Sequence, residues 1–317
     1  MKDVLSYVPG TRKNRACCSA AGVLKTGLQL RCPSLTGPVS EVTLAETIML
    51  DATNDQLENH LLAAFPVPEL AALAPNLKLQ RLRPGQLLSD SGESIKNVYF
   101  PTTAIISMIY LMADGATAEV AAVGNEGVIG VPILMGGATM PNRIEVRSGG
   151  YAYAMNAQLF KHEFERSQFV HQLMLLYIQT LLTQIAQSAL CNRHHHVVKQ
   201  VCSWLLLTQD RLKSEELAVT QQLIATMLGV RREGVTEAAG KLQEAGLIGQ
   251  RRGHITILDR EGLEARACEC YGIVKREFER LLGASAVEKS STGRYLGSSS
   301  AYSRESGMVR HTRVLEC

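Results

Sequence analysis

Along residues 219–258 the spacing of apolar residues changes twice, and each change marks an element. Leu223, Ile224 and Met227 share one side of a two-turn helix, and Thr220 before them is suited to cap it through its hydroxyl. Leu228-Gly229-Val230 forms a joint, where glycine takes a left-handed turn without steric cost. Val235, Ala238, Ala239 and Leu242 then make one stripe of a second helix from about Arg231 to Ala245, with Gly246 placed to end it. Beyond it the period falls to two. Ile255 and Ile257 alternate with His254 and Thr256, and Arg252-Gly253 supplies the turn of a hairpin over 247–258.

Two helices joined by a short glycine turn are the helix-turn-helix unit, whose second helix enters the DNA major groove. Away from its apolar stripe that helix carries Glu233, Thr236, Glu237 and Gly240, with Arg231 and Arg232 at its start. A plain antiparallel helix pair in a core would show the same stripe. The hairpin that follows favours the DNA-binding reading, because it supplies a wing. Arg251, Arg252 and His254 fall at its tip, where cations contact phosphates without reading sequence. A solvated turn would also accommodate them.

Upstream, residues 78–155 alternate short β-prone runs with Gly, Pro and Asp: 79–82, 97–100, 104–112, 118–123, 144–147 and 151–155. Short strands at such intervals predict a β-roll or barrel, with Asp114-Gly115 as a hairpin turn. Residues 161–191 predict one long helix. On it Met174, Ile178, Leu181, Ile185 and Ser188 are spaced 4, 3, 4, 3, the pattern of a coiled-coil seam, while Leu173, Leu176, Tyr177 and Leu182 widen the apolar surface toward the roll. A helix buried within its own chain is the competing reading. A shorter helix is expected over 54–64.

Composition adds less. The chain has 317 residues, 46% of them hydrophobic, enough for two cores, and a net charge of +3 that by itself announces no nucleic-acid partner. Charge is unevenly placed: residues 1–31 hold six basic and one acidic residue, whereas 32–189 hold eight basic and fourteen acidic. DNA binding must therefore rest on a local patch, here Arg231, Arg232, Arg251 and Arg252. Residues 1–50 are expected to be a disordered basic arm and 284–317 a disordered tail, and translation starting at Met49 is a further expectation. No signal peptide or uninterrupted span of about 18 apolar residues is expected, so the reading is a cytoplasmic protein without a membrane partner.

Residues 220–258 resemble the DNA-binding domain of the catabolite activator/Fnr (Crp/Fnr) family of bacterial transcription regulators. The resemblance rests on Thr220-Gln221, Leu228-Gly229-Val230, Arg232-Glu233-Gly234-Val235 and Ala245-Gly246-Leu247-Ile248. It implies an α+β chain: a cyclic-nucleotide-binding-like β-roll (jelly roll) over 51–160, a dimerisation helix over 161–191, and a winged helix-turn-helix over 192–283. It also implies a homodimer on palindromic double-stranded DNA, met by Thr220, Gln221, Arg231, Arg232, Glu233, Thr236, Glu237, Arg251, Arg252 and His254, with Arg232 and Glu233 reading bases and RNA polymerase entertained as a further partner. A third reader, arginine in the catabolite activator, falls on Glu237, a charge reversal that argues for a different operator. Arg83 to Leu88 with Gly92-Glu93 resembles the early strands of the roll. The phosphate cassette departs from the family: Val131 stands at the ribose-binding glutamate, Pro132 removes an amide donor, and Arg143 is followed by Ile144. That argues against cyclic AMP and leaves the effector unknown, with no cofactor assigned.

Catalysis has no visible machinery, since neither a nucleophile elbow nor a Walker loop is present and no carboxylates are paired. Metal binding is not expected either. Beside Cys202, His194-His195-His196 point about 100° apart on a helix and His195 has no histidine four residues on, while Cys17, Cys18 and Cys32 lack the spacing of an iron–sulfur motif. Cys268 and Cys270 are expected to face apart on a helix from Arg260 to Leu282, leaving a weak case for redox sensing. The rival to a regulator is a redox or ligand sensor whose winged domain binds proteins and reads no DNA.

Overall fold

The computed structural model describes residues 58–283. The expected arm and tail lie outside the described residues, as does the start of the helix expected over 54–64, with Leu57. What is described of that helix is α1 (His60–Ala63), capped by the buried Asn59, whose Oδ1 accepts from the Leu62 amide at 2.9 Å. The Asn59 amide also donates to Pro101 O at 2.7 Å and Gly127 O at 2.9 Å, pinning this helix to the strands that follow. After α2 (Val67–Leu73) come β1 (Lys78–Leu82), β2 (Leu87–Ser89), β3 (Asn97–Pro101), β4 (Ile105–Leu111), β5 (Thr117–Val123), β6 (Arg143–Ser148) and β7 (Gly150–Asn156).

The strands form two antiparallel sheets, ordered β1-β7-β3 and β2-β6-β4-β5. Their inner positions, among them Leu82, Val98, Phe100, Ile106, Ile144, Val146 and Met155, make one core between the sheets. This is the expected roll. Asp114-Gly115 turns β4 into β5, Gly115 has φ +86°, and Asp114 Oδ1 accepts from the Ala116 amide at 2.9 Å.

The single long helix expected over 161–191 is two helices. Asn156 caps α3 (Ala157–Arg166) through its side chain, and Ser167 adopts an extended backbone before α4 (Gln168–His194). Ser167 Oγ accepts from the Val170 amide, so a capping residue interrupts what hydrophobic periodicity alone reads as continuous. By length and composition α4 could cross a membrane, but much of its apolar surface is spent on the roll and on α9 (Glu269–Leu282).

A second core gathers α5 (Val197–Leu212), β8 (Glu216–Leu217), α6 (Gln221–Leu228), α7 (Arg232–Glu244), β9 (Ile248–Arg251), β10 (His254–Ile257) and α8 (Arg260–Arg266). In the sheet order β8-β10-β9, β10 of the expected hairpin is the central strand, paired with β9 on one edge and β8 on the other. Ile109 of β4 is buried in this second core, so the roll contributes to the packing of the helix-turn-helix.

Candidate nucleic-acid interface

Helix α6 begins at the Thr220 cap, whose Oγ1 accepts from the Leu223 amide at 3.1 Å, and ends at Gly229, where φ is +65°. Helix α7 follows after three residues, Gly229 to Arg231. Its stripe Val235, Ala238, Ala239 and Leu242 is buried against α5 and α6, and Gly246, at φ +72°, closes it as expected. Arg231, Arg232, Glu233, Thr236 and Glu237 are all exposed. With Glu233, Thr236 and Glu237 in solvent, the alternative of a helix pair hidden in a core does not hold. Gly240, in the middle of the helix, has open space where a Cβ would stand.

Thr220, Gln221, Arg232, Arg251, Arg252 and His254 line one open groove between the first helix, the start of the second and the wing. Six of the ten residues expected to meet DNA are thus brought to one concave surface, and Arg231, Glu233, Thr236 and Glu237 continue it along α7.

Their states differ. Arg231, Arg232 and Arg252 carry no ion pair to a described residue and are free to meet an anion. Arg251 is paired with Glu216 of β8, and His254 Nδ1 lies 3.0 Å from the same carboxylate without hydrogen-bond geometry. Arg251 holds the Glu216 carboxyl below its ordinary range, chiefly by hydrogen bonding. Glu237 binds Lys241 one turn on, Nζ to Oε1 at 2.6 Å, which depresses its carboxyl pKa. The charge reversal noted at Glu237 is therefore locally compensated.

Thr236 and Gln221 also have work inside the domain. Thr236 Oγ1 lies 2.7 Å from Gln221 Oε1, Gln221 Nε2 donates to Gln250 Oε1 at 2.6 Å, and Gln250 Nε2 donates to Gln243 Oε1 at 2.9 Å. This chain ties both helices to the wing. Gln243, Gln250 and Glu216 were not among the expected site residues, because polar residues of this kind carry no periodicity and their partners come from other elements.

On α4 the expected seam is only half available. Met174, Ile178 and Leu181 are buried within their own chain, Ile185 and Ser188 partly so. The face left open instead carries Leu175, Leu182 and Leu190, which are 49%, 61% and 50% exposed. Leu182, expected to face the roll, is thus on the opposite side. Helix α9 and the roll occupy the face that carries the seam spacing.

In the roll, Val131 and Pro132 begin a 3-10 helix over Val131–Met135, flanked by the left-handed Gly130 and Gly136. Val131 is buried, and Arg143 is engaged with Asp90, Nε to Oδ1 at 3.2 Å. The roll meets α5 through polar contacts. Arg211 Nε donates to Glu126 Oε1 at 2.8 Å and its Nη2 to Ala122 O at 2.9 Å.

The expectation that Cys268 and Cys270 face apart on one helix fails. Cys268 precedes α9 as its cap and has an extended backbone, so its thiol and that of Cys270 do not follow helical spacing and do not face apart. Cys191, His195, Cys268 and Cys270 place their ligand atoms within 4.8 Å of one another. Neither His194 nor Cys202 is part of this group. The signal could not be read from spacing, because the donors lie on the end of α4, in the residue after it, and at the start of α9.

Residues 199–266 match the family model of the Crp-like helix-turn-helix domain. No curated protein sequence matches the chain. Among solved structures, FixK2 from Bradyrhizobium japonicum shares the fold with 18% identity and a TM-score of 0.54 over 61% of this chain and 98% of its own. A candidate transcriptional regulator of the crp/fnr family from Eubacterium rectale aligns with 20% identity and a TM-score of 0.52, over 64% of this chain and 94% of its own. A transcriptional regulator of the CRP family from Thermus thermophilus has 16% identity and a TM-score of 0.52, over 59% and 96%. The chain thus carries a Crp-like helix-turn-helix domain on the fold of Crp/Fnr regulators.

Proposed function

We propose that this chain, with its Crp-like helix-turn-helix at residues 199–266, is a sequence-specific transcription regulator that binds palindromic DNA as a homodimer. The observation that carries the reading is the exposed, cation-led start of α7: Arg231, Arg232 and Glu233 project where a recognition helix meets base edges. Arginine pairs with guanine and glutamate accepts from the cytosine amino group, so Arg232 and Glu233 are the readers. Arg252 positions the protein on phosphate. Arg251 and His254 join it only by sharing or leaving Glu216. Thr236 and Gln221 hold the two helices and the wing in register.

Dimerisation is assigned to the open α4 face of Leu175, Leu182 and Leu190, since two half-sites about one helical turn apart require two recognition helices. A signal in the roll would reach α7 through α5, by the contacts of Arg211 with Glu126 and Ala122 and of Arg147 on β6 with Trp204 and Thr208, as a shift between packings. Cyclic AMP does not fit this role: an apolar, buried Val131 cannot hold a ribose hydroxyl, and Arg143 is already paired. A cytoplasmic setting and RNA polymerase as a partner follow from the same reading.

The test is fluorescence anisotropy of the full chain on genomic promoter fragments across a salt series, with random-sequence competitor. Specific retention on a few fragments, weakening steeply with salt, is expected. Uniform weak binding, or none at low salt, would leave the winged domain as a protein-interaction module.

A further inference from the structure

At the junction of α4, α5 and α9, three thiols and an imidazole meet in a pocket that the DNA-binding reading does not use. Cys191 lies in the last turn of α4, His195 directly follows that helix, Cys268 caps α9 and Cys270 is in its first turn. The three cysteines are buried and form a small cluster of their own. Cys191 Sγ is 3.5 Å from Cys268 Sγ, and Cys270 Sγ is 3.6 Å from His195 Nδ1.

A tetrahedral zinc with Zn–S of about 2.3 Å and Zn–N of about 2.0 Å requires S···S near 3.8 Å and S···N near 3.5 Å. The Cys191–Cys268 and Cys270–His195 separations are close to these values, and all four donor atoms lie within 4.8 Å of one another. An iron–sulfur cluster puts its own iron and sulfide atoms between its cysteines, and these sulfurs are too close for it. Plain thiol packing is the competing account, with one S–H···N hydrogen bond between Cys270 and His195 Nδ1, and metal titration separates the two.

The surroundings are those of a built site. His195 presents Nδ1 to the thiols, and its Nε2 lies 3.3 Å from Glu269 Oε1, the carboxylate–histidine arrangement that orients a metal-bound imidazole. Ser203 Oγ lies 3.2 Å from Cys268 Sγ, within hydrogen-bond reach of a thiolate. Gln200 Nε2 donates to the carbonyls of both Cys191, at 3.2 Å, and His195, at 2.8 Å, fixing the backbone that bears two of the donors.

We propose that Cys191, His195, Cys268 and Cys270 bind one zinc-type soft divalent cation in a closed Cys3His site. All four coordination positions are filled by protein, so the site is structural and has no position for substrate. Binding displaces the thiol protons to solvent, and no electron is transferred. The ion clasps the end of the long helix and the entrance to the DNA-binding domain to α9, which lies along that same long helix. Holding that joint sets the direction in which α5 leaves α4.

The test is anaerobic titration of the reduced full chain with Co2+, followed by displacement with Zn2+. Wild type is expected to develop thiolate-to-cobalt charge-transfer and tetrahedral ligand-field bands that saturate at one ion per chain. Cys268→Ser and Cys191→Ser lose those bands, Cys202→Ser keeps them, and Glu269→Gln binds zinc about 10-fold to 100-fold more weakly. If the serine variants do not fold, alkylation of wild type read by mass spectrometry replaces them. Stoichiometric zinc then slows modification of Cys191, Cys268 and Cys270 and leaves Cys202 unchanged. The assignment is overturned by an octahedral cobalt spectrum, by bands that survive Cys268→Ser, by zinc that protects none of the three thiols, or by a Cys191–Cys268 disulfide chain that takes up no metal after reduction.

Discussion

The Arg147 guanidinium of β6 lies 4.6 Å from the centre of the Trp204 ring of α5, joining the roll to the DNA-binding half by a cation–π contact. The same guanidinium is paired with Glu119, Nη1 to Oε1 at 3.0 Å, and donates to Thr208 Oγ1 at 3.1 Å, with both charged side chains withdrawn from water. Glu119 in turn accepts from Ser107. Removing one member of a buried pair strands the other charge, at a cost of about 3–5 kcal/mol. Arg147→Met is therefore expected to lower stability by that amount in urea unfolding, and adding Glu119→Gln should restore part of it. An additive double variant would show that the pair is not coupled.

Gly127 and Gly240 should respond oppositely to alanine. A Cβ on Gly127 would stand 2.4 Å from the Tyr177 ring, whose hydroxyl is committed to Val128 O at 2.9 Å. Gly127→Ala is expected to cost about 1–3 kcal/mol. Gly240 has open space, so Gly240→Ala should stabilise α7 by about 1 kcal/mol while impeding its insertion into a groove. Thermal unfolding and DNA titration of the same variant check both halves. A stabilised variant with unchanged DNA affinity would show that this part of the helix does not approach DNA.

Arg232→Ala should relax base preference at one operator position, at about 1–3 kcal/mol of discrimination. Arg252→Ala should weaken all sequences alike and flatten the salt slope by about one ion. Binding titrations on matched and mismatched fragments separate the two, and identical effects would remove the role assignments.

Leu182→Glu should convert a dimer to monomer in sedimentation without loss of monomer stability, because Leu182 is 61% exposed. Met174→Ala should instead destabilise the chain by about 2–5 kcal/mol, because Met174 is fully buried in its own core. The reverse pattern would return the seam to Met174, Ile178 and Leu181.

Burial, reinforced by the charge of Lys213, lowers the pKa of His60 from its ordinary 6.5. The folded chain thus prefers the neutral imidazole, and the unfolded chain takes up its proton first as pH falls. Stability is complete above pH 6.5 and declines as pH drops from there toward the depressed folded value. His60→Gln should flatten the fall of Tm with acidification in that window. An unchanged slope would place the acid sensitivity elsewhere.

By itself the sequence determined the elements whose signals are local. Short β-prone runs between turn residues placed the strands of the roll, and the caps Thr220, Gly229 and Gly246 bounded the two helices, because capping and left-handed turns depend on a residue and its immediate neighbours. The stripe of α7, and hence its exposed face, was legible for the same reason. Tertiary structure decided what depends on distant partners. The seam spacing on α4 is the same whether it faces another chain or the roll, and only packing spends Met174, Ile178 and Leu181 internally while leaving Leu175, Leu182 and Leu190 open. Glu216 capturing Arg251, and Gln250 bridging α6 and α7, likewise need elements that meet only after folding. So does the meeting of Cys191 and His195 with Cys268 and Cys270, across a separation that residue spacing does not encode.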